Sequence, residues 1–429
     1  MSYVNTENYK SMKRNTKKMA WLLFWLLPGL VYAQDVQVLS LDTIIARIAN
    51  NNKMLQSYDL KADSYNYSAD AATAWMAPMV GLGTFMTPYP GQRKNENAGK
   101  GSIMLEIAQD IPNRSKLNAK RRYIASQGDV ERANREIILN NYKAIAKRLY
   151  YNWLVAGERI TVLQENERIL TMMKKIEEVR YPYNQVALGG VYQAEAKILN
   201  NQNMIIMQQG TIGKTKGWLN SLMNSDGDQD FVIDTTYHPV FNPSMSYDTT
   251  LLAESRKDIF KMDESIRSME LNIASSKELR RPDFKIRFDH MLPLSGMMPN
   301  AFSVMGMMSI PIAPWSSRMY QSDIQGMQLQ IKGMEQERTA KLFEAQGMLY
   351  GMQAEIISIR QRVGTIEHKV IPALQKSMDS YFANYQENKE KLSIVIDAWE
   401  ALTMMKMNVL DEKLKLYEMI ADYEKEIYR

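Results

Sequence analysis

The two halves of this chain repeat each other at a constant offset of 204 positions: Tyr181, Asn184, Leu188, Val191 and Ala194 recur as Tyr385, Asn388, Leu392, Val395 and Ala398. The same shift carries Lys53 onto Lys257, Ser64 onto Ser268 and Pro78 onto Pro282. One offset across such distant anchors requires two structurally equivalent halves. A duplicated scaffold, rather than a catalytic constellation, has to carry whatever this chain does.

Ahead of that scaffold, Lys10, Lys13, Arg14, Lys17 and Lys18 precede an apolar run over 19–32, and Val31 and Ala33 supply the small residues of a cleavage site. The pattern reads as a secretory signal peptide over 1–33. A membrane anchor fits less well, because the run is about 14 residues and a spanning helix needs ~20. The chain has no cysteine, which excludes lipid attachment at the cleavage site, disulfides and thiolate metal sites. No later apolar run is long enough for a second helical span. The formal charge of +5 is spread over alternating acidic and basic residues, unlike the one-sided Lys/Arg cluster of a nucleic-acid footprint.

Along the chain, apolar residues at helical spacing over 39–76 stop at Pro78. Strands at 79–86 and 102–111 flank a loop rich in Pro, Gly and Asn. In the second of them Ile103, Leu105 and Ile107 share one face, with Ser102, Glu106 and Asp110 on the other. A helical pattern then runs from 115 to 180 without a proline and with only Gly128 and Gly157. At ~1.5 Å per residue that makes a rod of roughly 100 Å. A turn near 184 and a returning helix over 191–223 complete a first unit, 34–222. Residues 223–250 read as a linker holding a short strand at 230–233.

The second unit, 251–429, repeats the cycle: a helix to Pro282, strands at 283–291 and 301–311, a long helix over 317–385, a turn near 388 and a last helix over 393–428. In its first strand Phe284, Ile286, Phe288 and His290 oppose Asp283, Lys285, Arg287 and Asp289. Pro372 should kink or split the long helix. The fold class is therefore mainly α with a small β part, built from a duplicated helix-strand-strand-long helix-helix unit.

Strands of about nine residues with one apolar face have the dimensions of outer-membrane strands. Four of them cannot close a barrel, and an open edge in lipid leaves backbone groups unsatisfied. Either several chains pool their strands, or the sheet caps a coiled coil in water. Trp75 and Trp315 stand where helix meets strand, at the depth of an aromatic belt, although ordinary packing would also place them there. Asn184 and Asn388 each follow a tyrosine by three residues at a helix reversal, where a residue tolerating positive φ is favoured.

These residues resemble the TolC family of outer-membrane efflux proteins. The resemblance is carried by the duplicated turn, Tyr181-Pro-Tyr-Asn184 with Gln193-Ala194 and Tyr385-Gln-Glu-Asn388 with Asp397-Ala398, and by the strand ends Gln109-Asp-Ile-Pro112 and Met308-Ser-Ile-Pro311. It covers essentially the whole mature chain, and departs from the family in having Asn for Gly at both tips. It implies a homotrimer with a twelve-stranded β-barrel in the outer membrane of a Gram-negative bacterium. An α-helical coiled-coil barrel would continue it through the periplasm and close at its lower tip.

The implied function is a passive exit duct, docked to a periplasmic adaptor and an inner-membrane pump of the RND type, which includes heavy-metal and multidrug pumps. Tyr181, Asn184, Gly189, Gln193, Tyr385, Asn388, Asp397 and Glu400 would form the docking tip and gate, and Glu106, Lys285, Arg287 and Asp289 the barrel lumen. In a trimer Asp397 becomes a ring of three like charges that could select cations, or it lies on an ordinary solvated helix face. The other class of reading is a periplasmic coiled-coil adaptor that never enters a membrane.

The 32 methionines raise soft-metal binding, with clusters at Met305, Met307 and Met308 and at Met404, Met405 and Met407. No His or Cys stands close by in sequence, and methionine is also a flexible core filler. His238, His290 and His368 are scattered, and Gly81-Leu-Gly83 lacks the third glycine of a dinucleotide loop. No metal site, cofactor or enzymatic activity is expected.

Overall fold

The computed structural model describes residues 37–89, 91, 100–183, 187–242, 248–294 and 299–428. The expected signal peptide and Asn184 lie outside these residues. The first half runs β1 (Gln37–Leu39), α1 (Leu41–Asn51), α2 (Lys53–Ala71), β2 (Met79–Phe85), β3 (Ser102–Ile111), α3 (Arg114–Arg180) and α4 (Leu188–Met223). Then follow β4 (Phe231–Ile233), α5 (Thr249–Ser255), α6 (Lys257–Glu278), β5 (Phe284–Pro293), β6 (Ala301–Met308), α7 (Pro314–Thr365), α8 (Ile371–Gln386) and α9 (Leu392–Glu426).

Local signals start and stop these helices. Ser40 accepts the Thr43 N–H at 3.2 Å and caps α1, whose Leu41, Ile44 and Ile48 are buried at helical spacing. The single helix expected over 39–76 is instead broken at Asn52, which accepts from the Met54 and Leu55 N–H groups and so caps α2. A side chain that bonds the following backbone in this way takes its residue out of the helical conformation. The second half breaks at the position 204 later: Arg256, at φ −77° and ψ 119°, ends α5 and begins α6.

α3 is one continuous helix of 67 residues, capped by Asn113 accepting the Ser115 N–H at 3.0 Å. At ~1.5 Å per residue it is a rod of roughly 100 Å. α2 packs closely along it at Gly128, where an added Cβ would stand 2.9 Å from the Ala62 carbonyl oxygen. In the second half the corresponding rod is divided. A π-helical turn at Ile366–Val370 separates α7 from α8, and Pro372 occupies the first turn of α8. Proline has no N–H to donate and crowds the carbonyl four residues back. The wider π-turn accommodates both defects without ending the rod.

The strands form two sheets. β1 and β4 pair in parallel, Gln37 with Phe231 and Leu39 with Ile233, so the linker returns to the chain's beginning. Phe231 and Ile233 join Leu39, Ile44, Ile48, Tyr150 and Leu219 in the core at the middle of the rods. The sequence pattern marked β4 but gave it no partner. The other sheet is antiparallel, in the order β2-β3-β5-β6, with Leu82 opposite Leu105, Leu105 opposite His290 and His290 opposite Phe302. Among the described residues it is open at β2 and β6. Among the described residues no helix is long and apolar enough to cross a membrane, which leaves strands untouched by that test.

Candidate functional site

The antiparallel sheet sorts its side chains by period 2. One face carries Val80, Leu82, Ile103, Leu105, Ile107, Phe284, Ile286, Phe288, Phe302 and Val304, all exposed. Leu82 is 80% exposed and Phe302 70%, far beyond what a water-soluble sheet leaves uncovered as one continuous patch. The opposite face brings together all four residues expected to line a lumen. Arg287 reaches Glu106 at 3.3 Å and Asp289 at 2.8 Å, and Lys285 lies 3.6 Å from Asp110. Ser303 donates to Asp289 at 3.4 Å. Asp283, just before β5, accepts from the Asn113 N–H at 3.1 Å and from Lys116 at 2.6 Å, which fixes the sheet to the start of α3.

At the far end of the rods the two hairpins are latched. Tyr385 is buried among Leu170, Met173, Leu392 and Val395, and its hydroxyl donates to Glu177 at 2.7 Å. Burial, and then the neighbouring Glu177 carboxylate, push the Tyr385 phenol up from its ordinary pKa. Arg180 stacks 4.8 Å over the Tyr385 ring and donates to the Gln386 carbonyl at 2.9 Å. Asn388 follows at φ 63°, the left-handed conformation that the turn needs and Asn tolerates. Lys197 of α4 pairs with Glu400 of α9, a second tie between the halves.

The other expected tip residues do different things. Tyr181 lies in a 3₁₀ turn with its side chain exposed, so the two equivalent tyrosines have opposite environments. Gly189 has open space around it, whereas a Cβ at Gly190 would collide with the Glu177 carboxylate. Gly190 is thus the glycine the packing requires. Gln193 and Asp397, equivalent positions in the two halves, are both exposed. Trp75 lies between α2 and β2 and Trp315 in the first turn of α7, 51% and 84% exposed. Sequence reasoning missed Glu177 and Arg180, which look like ordinary charges on a helix surface. Only the proximity of the other hairpin distinguishes them.

The chain is similar to solved outer-membrane channels. It matches the outer-membrane channel OprN at 12% identity and a TM-score of 0.69, covering 90% of this chain and 89% of that one. CusC, described in structures of transmembrane channel formation, matches at 15% identity and a TM-score of 0.70, covering 90% and 91%. The Campylobacter jejuni CmeC outer-membrane channel matches at 14% identity and 0.66, covering 90% and 85%. The chain has the TolC-type channel fold. No protein-family model and no curated protein matches it. In this TolC-type scaffold the charged and apolar sheet faces crown one end, and the Tyr385 latch holds the other.

Proposed function

We propose that this protein is the outer-membrane exit duct of a tripartite efflux system. The observation that carries the reading is the four-stranded sheet, with one mostly apolar face, one charged face and, among the described residues, two unpaired edges. In lipid such edges must be satisfied, and an even number of antiparallel strands wrapped into a closed cylinder does so. β2 and β6 run in opposite directions, so β6 of one chain can pair antiparallel with β2 of the next. A head-to-tail contact that closes on itself gives a ring. Three chains of four strands make a twelve-stranded barrel whose charged faces point inward.

The rods then continue that barrel as a helical tunnel through the periplasm, with exposed Trp75 and Trp315 at the lipid boundary. The hairpin tips, with Tyr181, Gly189, Gln193 and Asp397 exposed around the buried Tyr385, are the surface a periplasmic adaptor would meet, and an RND-type inner-membrane pump would load the duct from below. Asp397 gives the trimer a ring of three carboxylates near the closed end.

Purification from membranes tests the reading. The duct predicts a heat-modifiable trimer in the outer-membrane fraction that forms ion-conducting pores in planar bilayers. A water-soluble monomer without pores would instead support the periplasmic adaptor.

A further inference from the structure

Methionine is distributed against the usual logic of this sheet. Of the six methionines in its strands, Met79, Met104, Met291, Met305 and Met307 lie on the charged face and only Met308 on the apolar one. A methionine serving as bulk hydrophobe belongs on the face that meets lipid. The cluster at Met305, Met307 and Met308 is thereby divided, while two methionines far apart in sequence are joined: Met104 and Met291 are direct cross-strand partners. Side chains so paired have Cβ atoms about 4.5–5.5 Å apart, within reach of one shared ligand.

Three features make this pair a receptive site. First, both side chains are half-buried on the polar face, with small residues beside them. Met104 is opposite Gly83, around which a Cβ would meet nothing within 4 Å, and Met291 is opposite Ala301. Second, the Met104 sulfur stands among the polar groups of this face, with Arg287 Nη2 3.9 Å from Sδ, a contact that a bound cation would replace. Third, the next rung pairs Glu106 with Asp289, and Arg287 bonds to both. Two carboxylates and one guanidinium leave a net charge of about −1 beside the thioethers, which suits a monovalent cation. Thioethers select soft ions, and a soft monovalent cation means Cu(I) or Ag(I).

We infer that Met104 and Met291 form a soft-metal site on the inner face of the sheet, a waypoint for Cu(I) or Ag(I) leaving the duct. The waypoint role rests on the proposed duct; binding at the pair does not. Ag(I), which needs no reductant, is the probe. Full-length protein in detergent is titrated with Ag(I) by calorimetry, and X-ray absorption reports whether sulfur is the ligand.

The wild type is expected to bind one tight, sulfur-coordinated Ag(I) per chain, and the Met104→Leu, Met291→Leu double variant to lose it. Leucine nearly matches the volume of methionine, so the sheet should survive. Met404→Leu with Met405→Leu on α9 should keep the tight site. The site is overturned if the wild type shows no sulfur-bound Ag(I), or if the strand variant retains it. Pore-forming protein with that result loses the site alone. Protein that binds Ag(I) at the pair but forms no pore overturns the duct, and the waypoint role with it.

Discussion

The first half of this chain is a strut, and the second half has a joint. α3 runs unbroken for 67 residues and packs against α2, α4, α6 and α9. Its counterpart is interrupted by the π-turn at Ile366–Val370, ahead of Pro372. The equivalent helix breaks also differ. Asn52 accepts from the Met54 and Leu55 N–H groups and donates to the Leu222 carbonyl at 2.8 Å, whereas Arg256 donates to the equivalent Glu426 carbonyl at 3.0 Å and adds ion pairs to Asp258 and to the Glu426 carboxylate at 2.9 Å. Duplication preserved the path of the backbone and the long-range bond to the carbonyl at 222 or 426, and divergence replaced a neutral side-chain cap with buried ion pairs.

The largest expected effect breaks that contrast at the helix junctions. Arg256→Ala leaves the Asp258 and Glu426 carboxylates without their shared cation in a largely buried site, a loss on the order of 3–5 kcal/mol. Asn52→Ala removes a neutral cap and the bond to the Leu222 carbonyl and should lose about 1–2 kcal/mol. Denaturant midpoints of the two variants measure the difference, and equal shifts would refute the asymmetry.

The next effect is at the tip. Tyr385→Phe removes the hydroxyl that Glu177 accepts, an expected loss of about 1.5–3 kcal/mol, with a rise in basal single-channel conductance as the latch loosens. Tyr181→Phe, at the exposed equivalent, should change neither quantity. Smaller in free energy is the exchange of charge at the matched positions. Asp397→Asn should relieve block by divalent cations while leaving folding unchanged, and Gln193→Ala should leave the block as it was; an unaltered Asp397→Asn channel would remove the carboxylate ring.

The pH response of the latch is the smallest effect. Because the folded-state pKa of Tyr385 is raised above its ordinary value of 10.0, its contribution is complete below that value. It declines as pH rises from there toward the folded-state pKa, since the unfolded chain ionises first. Basal conductance should therefore rise on the alkaline side in the wild type and stay flat in Tyr385→Phe.

The charged sheet face was legible because alternation is a two-residue rule: once Phe284, Ile286 and Phe288 share a side, Lys285, Arg287 and Asp289 have to share the other. The latch was not legible. Glu177 and Tyr385 are 208 residues apart, and nothing around either one marks it as half of a pair. The choice between Gly189 and Gly190 had the same obscurity, since it depends on where the Glu177 carboxylate arrives.

By itself, then, the sequence determined the duplication, the rods, the strand faces and the turn at Asn388, all set by spacings of a few residues acting through backbone geometry. Tertiary structure decided the sheet order that brings Met104 to Met291, the pairing of β1 with β4, the helix breaks at Asn52 and Arg256, and the buried partner of Tyr385. Each of these depends on which distant surfaces meet as apolar side chains leave water, and burial then forces the remaining polar groups to find partners wherever packing has put them.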